Sequence, residues 1–173
     1  MTTLTPTPVT ALMTGSSALA DQCPDLLVEP FNRADLRLLF PLMQMAEPNI
    51  DLPRWLSYAN KLFRRRDGRA GILVARRHIR RFPCGAVCFR MAEDLRYGSV
   101  LIAEHFVAVD PIDPYSVLTA LAAQLDTLAK HLNCGAVRVI APDGRASVEL
   151  RATGHNGEGV VLLKAMPPEN GED

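Results

Sequence analysis

Hydrophobic and polar positions recur with different periods along this chain, and each change of period marks an element. The strongest pattern lies between Phe106 and Ala141. Phe106 to Val109 forms a short apolar run, and Leu118, Leu121, Leu125, Leu128 and Leu132 then recur at steps of three and four. Such steps place the leucines on one face of a helix. Asp113 stands where a helix is capped, and Pro114 occupies the first helical position, where its missing N–H costs nothing. Ala122 and Ala129 widen the stripe with small side chains that let the helix lie close to a sheet. Asn133 is placed to take the left-handed conformation that closes the helix. Ala136 to Ala141 is apolar apart from Arg138, as expected for a strand in a parallel pair covered by helices. Strand, helix and strand in this order predict a βαβ crossover, with the loop before the helix as the usual place for a ligand.

Upstream, residues 1 to 24 are rich in Thr, Pro, Ala and Ser without sustained periodicity and read as a flexible arm. Leu26-Leu27-Val28 predicts a short strand. Asn32 is placed to cap a helix running to about Ala46, with Leu36, Leu39, Phe40 and Met43 on its apolar face. Pro41 inside that pattern predicts a kink or a division. Asp51 opens a second helix with Leu52, Trp55, Leu56, Ala59, Leu62 and Phe63 on one side, ending in Arg64-Arg65-Arg66. The period then falls to two. Strands are predicted over Ala70 to His78, Gly85 to Met91 and Ser99 to Val109, joined by short turns as an antiparallel meander. Beyond the crossover, Arg145 to Thr153 predicts a short helix stopped by Gly154, Gly159 to Met166 a last strand, and Pro167 to Asp173 a polar tail. One domain over residues 25–166 accounts for the pattern.

Composition changes this picture little, and charge changes it more. The chain has no formal net charge, yet Lys61 to Arg96 holds 11 Lys and Arg against 3 Asp and Glu. A basic segment within an acidic remainder points to an anionic ligand or a charged partner surface. No aromatic interleaving accompanies the arginine runs, which disfavours nucleic acid. The four cysteines, Cys23, Cys84, Cys88 and Cys134, form no CxxC pair. Cys84 and Cys88 have the spacing to share a strand face, but no second ligand pair for zinc stands beside them, so no metal is expected. Free thiols of this kind suit a reducing, cytoplasmic setting. No apolar run is long enough for a membrane span.

The order strand, two helices, meander, helix, strand, short helix, strand resembles the GCN5-related N-acetyltransferase (GNAT) superfamily. The strings LLVEPFNRADLRLLFPLM, FVAVDP, SVLTALAAQLDTLAKHLNCGAVRVIA and ASVELRATGH carry the resemblance. It implies an α/β fold: a mixed central sheet with an antiparallel meander and a splayed parallel pair, and helices on both faces. It also implies acetyl-CoA, or another acyl-CoA, in the opening between the fourth and fifth strands, and a small-molecule or peptide amine as acceptor. A homodimer is left open. By position, Glu104 matches the family's general base. Val107 and Val109 match residues whose backbone meets the pantetheine arm, and Tyr115, Ser116 and Val117 match the diphosphate loop. His105, next to Glu104, would point to the opposite face unless a bulge intervenes.

Two departures accompany the resemblance. The family's Arg/Gln-x-x-Gly-x-Gly/Ala loop corresponds to Pro114 to Thr119, which has no glycine, while Asp110 and Asp113 bring negative charge to the site. Leu150 stands where many members carry a tyrosine that protonates the departing thiolate. Two other readings therefore stay open. One is a non-catalytic or regulatory protein that keeps the scaffold without the cofactor site, and the other is a partner-binding module using residues 61–96.

Overall fold

Alternation along the strands sorts the core into two layers, one on each side of a single sheet. The computed structural model describes residues 26–65, 67–77, 82–111, 113–140, 151, 154, 155 and 157. Five strands lie in chain order: β1 (Leu26–Pro30), β2 (Ala70–Arg77), β3 (Gly85–Asp94), β4 (Gly98–Ala108) and β5 (Ala136–Val139). The first four pair antiparallel, and β5 runs parallel to β4. Helices α1 (Leu36–Ala46) and α2 (Leu52–Arg64) cover one face, where Ile72, Val74, Ala86, Cys88 and Val107 meet them. Helix α3 (Pro114–His131) covers the other, against Leu73, Val87, Phe89, Leu101, Ala103 and Phe106. This is the mixed sheet with helices on both faces that the family resemblance implies. The N-terminal arm, the helix expected over 145–153 with Leu150 (apart from Arg151), the last strand over 159–166 and the tail lie outside the described residues.

Local chemistry explains the helix ends. The Asn32 side chain accepts the Ala34 N–H at 3.0 Å and caps a short 3-10 turn, from which α1 continues. Pro41 sits inside α1 without dividing it. The bond it cannot donate is to the Arg37 carbonyl, and both residues are exposed, so the gap falls on the solvent side of the helix. Asp51 caps α2 by accepting the Arg54 N–H at 2.7 Å. The buried Trp55 indole donates to the Leu36 carbonyl at 2.9 Å, which fixes α2 against the start of α1. In α3 the predicted stripe is the buried one: Leu121 and Leu125 are fully buried, each worth about 1.5–3 kcal/mol of transfer free energy. Asn133 takes φ 54° and closes the helix as expected.

Two contacts set how α3 sits on the sheet. At the start of β3, a Cβ on Gly85 would lie 2.3 Å from Val117 Cγ1 and 3.1 Å from the Val107 carbonyl oxygen, so only glycine admits the helix this close. Below the turn that leads into α3, Asp110 is 5% exposed and pairs with Arg77 at the end of β2. Its other carboxylate oxygen accepts the Asp113 N–H at 3.1 Å. One buried carboxylate thus joins β2, the end of β4 and the helix cap. Cys84 and Cys88, whose spacing would let them share a face, lie in opposite layers. Cys84 precedes β3 and bonds through Sγ to the Ala75 carbonyl, so strand alternation does not extend to it.

Both contacts predict stability changes. Gly85→Ala should lower unfolding free energy by about 1–3 kcal/mol, with part recovered when Val117→Ala is added, as urea titration of the four-member mutant cycle would show. Additive losses would mean that the helix does not rest on this point. Arg77→Met should cost about 3–5 kcal/mol by leaving a buried carboxylate unpaired. Adding Asp110→Asn should restore much of it, because the amide oxygen still accepts the Asp113 N–H.

Candidate functional site

The site begins with an irregularity in β4. Ala86 faces Val107 across the β3–β4 ladder, but Cys88 faces Glu104, so His105 and Phe106 together oppose the single residue Val87. This is a β-bulge, and His105 takes the left-handed conformation within it at φ 53°. A regular strand would send Glu104 and His105 to opposite faces. The extra residue instead keeps both on the α1/α2 face and returns Phe106 to the α3 layer.

On that face α2 supplies Tyr58. Its ring meets the His105 ring edge to face, with centroids 5.3 Å apart. Its hydroxyl lies 3.5 Å from Glu104 Oε2, a long hydrogen bond. Burial pushes the Tyr58 phenol far above its usual range, and the neighbouring Cys88 and Glu104 add to the shift, so the phenol keeps its proton. Arg90 of β3 donates to Glu104 Oε1 at 3.0 Å. Glu104 therefore receives two donors and retains lone pairs for a third. Glu47, just past α1, lies 3.3 Å from His105 Nδ1. Beneath them the fully enclosed Cys88 thiol is pushed up to about 12, first by desolvation and then by the Glu104 charge, which makes it a poor nucleophile.

Beside these groups a cleft of about 270 Å³ opens between α1, α2 and β4, lined by Met43, Glu47, Ile50, Arg54, Tyr58 and His105 among others. Glu104 does not line it and meets it through Tyr58. The Arg54 guanidinium at its edge makes no ion pair among the described residues. The cleft thus has apolar walls, one acid held on a histidine, and a cation at its edge.

The strand end and the helix start are the second part of the site. The β4–β5 ladder stops at Ala103 and Val139, with the Ile140 N–H donating to the Ala103 carbonyl. Among the described residues, Glu104 to Ala108 pair only with β3. The Val109 N–H donates to the Cys84 carbonyl at 2.8 Å. Antiparallel alternation therefore turns the main-chain groups of Val107 and Val109 toward β3, and those of Ala108 away from it.

At the start of α3, the Ser116 N–H donates to Asp113 Oδ1 at 3.1 Å, and Ser116 Oγ donates to the Asp113 carbonyl at 2.9 Å. Val117 is fully buried and Tyr115 is 40% exposed. A helix leaves about four N–H groups open at its start. Here one position is proline, two N–H groups donate to Asp110 and Asp113, and the Tyr115 N–H remains. These residues do not fit a backbone cradle for a diphosphate.

The structure brings together Glu104 and His105, and sets Val107 and Val109 one strand-end away from Tyr115, Ser116 and Val117. Sequence reasoning missed Tyr58 and Arg90 as neighbours of Glu104, and Glu47 as the partner of His105. Tyr58 was accessible, since it lies three residues after Trp55 and four before Leu62 on the buried side of α2. Arg90 follows only from the register of β3 against β4. Among the described residues no three His, Cys, Asp or Glu side chains gather as a metal site, and no helix is long and apolar enough to cross a membrane.

No family model and no curated protein matches the sequence. Solved structures do match it by fold. An aminoglycoside antibiotic 6′-N-acetyltransferase from Acinetobacter baumannii superposes with a TM-score of 0.66 at 17% identity, covering 82% of this chain and 99% of that one. Glucosamine-6-phosphate N-acetyltransferase from Arabidopsis thaliana gives 0.62 at 13% identity, over 82% and 99% of the two chains. A predicted acetyltransferase with acetyl-CoA from Clostridium acetobutylicum gives 0.67 at 12% identity, over 81% and 96%. A bulged fourth strand, a crossover helix and a parallel pair that ends early are thus features of a chain with the fold of the GCN5-related N-acetyltransferase superfamily.

Proposed function

We infer that this chain is an N-acyltransferase that moves an acyl group from a thioester to a small amine seated in the cleft beside β4. The observation that carries this reading is the bulge, which keeps Glu104 and His105 on the one face of β4 where Tyr58 meets both and a cleft opens beside them. The fold of the structural neighbours supports it. The diphosphate of acyl-CoA does not fit the start of α3, so no step here depends on it.

The chain's own residues divide the work. Met43 and Ile50 exclude water from the body of the acceptor, while Glu47 and His105 orient its amine. An ammonium must lose a proton before it can attack a carbonyl. Glu104 is the base: a proton leaving the amine passes to the Tyr58 oxygen as the phenol proton passes to Glu104 Oε2. Tyr58 ends the exchange neutral, in keeping with its raised pKa. The amine then forms the C–N bond, the C–S bond breaks, and the second proton lost by the nitrogen goes to the departing thiolate, giving free thiol. Arg90 holds the carboxylate in place throughout.

Free-thiol release from acetyl-pantetheine and acetyl-CoA, measured against a panel of primary amines, tests the reading. Glu104→Gln should lower kcat/KM by about 10²-fold, and Tyr58→Phe should lower it too, with melting temperatures reported alongside. Unchanged turnover in both would remove Glu104 and Tyr58 from the reaction. The closed start of α3 favours a second reading, a scaffold that binds amines without transferring to them. Amine binding with no thiol release from either donor would select it.

A further inference from the structure

We propose that the acyl donor is recognised without its diphosphate, so that this chain binds an acyl-pantetheine thioester as tightly as the same acyl group on full coenzyme A. The inference rests on the acyltransferase reading above and names the class of donor. Four independent features of the helix start carry it. Pro114 has no N–H to offer. The Asp113 and Ser116 N–H groups already donate to carboxylates of the chain itself. Arg77, a described cation in contact with this turn, is paired with the buried Asp110. Val117 cannot draw back to make room, because it is fully buried and packs on Gly85 at a distance that excludes even a methyl group.

A diphosphate arriving here would meet the Tyr115 N–H beside the Asp113 carboxylate. Binding it would require undoing the cap and thereby exposing two amides that the fold has satisfied. The strand end carries no such conflict. The main-chain groups of Ala108 turn away from β3, and Glu104 to Ala108 have no second strand partner among the described residues. An extended arm with amides of its own, such as pantetheine, matches that edge by the same hydrogen bonds that add a strand to a sheet. Affinity would then come from the thioester arm and acyl group, and the nucleotide portion would remain in solvent.

Calorimetric titration of the full chain with three probes tests the proposal: acetyl-CoA, S-acetyl-pantetheine and 3′-phospho-ADP. The expected result is dissociation constants for the two thioesters within about threefold of each other, with no heat from 3′-phospho-ADP. An acetyl-CoA affinity about tenfold or more above that of S-acetyl-pantetheine would overturn it, as would competition or thermal stabilisation by 3′-phospho-ADP. If neither thioester binds, both the acyltransferase reading and the assigned donor class fall, while the closed helix start still stands if 3′-phospho-ADP is also silent.

Discussion

The extra residue in β4 is the constraint on which the site depends. Pairing with β3 is regular from Gly98 to Glu104 and regular again from Val107, and between them the strand accommodates His105 in a left-handed conformation. That conformation costs a non-glycine residue about 1–3 kcal/mol and persists only where neighbours hold it. Here the neighbours are Tyr58, against the ring, and Glu47, on Nδ1. Without the bulge His105 would enter the α3 layer, Phe106 would leave it, and the cleft would lose one wall. Burial of Phe106 and the cleft wall at His105 therefore both favour the bulge, and with the contacts of Tyr58 and Glu47 they offset the cost of the left-handed residue.

A second constraint acts at the other end of the crossover. Gly85, Val117, Arg77 and Asp110 bring the helix start down onto the sheet and satisfy its polar groups internally. In a fold whose crossover loop commonly receives an anion, such internal satisfaction exchanges binding capacity for stability. The cleft beside β4 keeps polar groups open to a ligand, while the start of α3 does not. This asymmetry is the main physical difference between the two halves of the site.

Much of the architecture was legible in the chain. The leucine stripe of α3, its Asp113 cap and its Asn133 closure appear in the structure as the spacing predicts, because helix periodicity and capping are local properties. Legibility ended where a feature depended on register. Nothing local marks His105 as bulged, nor pairs Arg90 with Glu104, since each requires knowing which residues of β3 and β4 stand opposite. Of the two outcomes open for Pro41, division does not occur, and the bond it cannot donate falls on the exposed side of α1. The absence of glycine before α3 was legible and proved informative, because the bonds that close the helix start come from Asp110 and Asp113, both visible in the sequence beside Pro114.

Amide-resolved NMR during titration with S-acetyl-pantetheine followed by acetyl-CoA tests the central claim most directly, namely that the donor meets the end of β4 and not the start of α3. Shifts should concentrate at Phe106 to Val109 for both ligands, while the Tyr115, Ser116 and Val117 amides stay within the spread of distant residues. Large shifts at Ser116 and Val117 with acetyl-CoA, absent with S-acetyl-pantetheine, would show that the cap opens to take a diphosphate and would contradict the account.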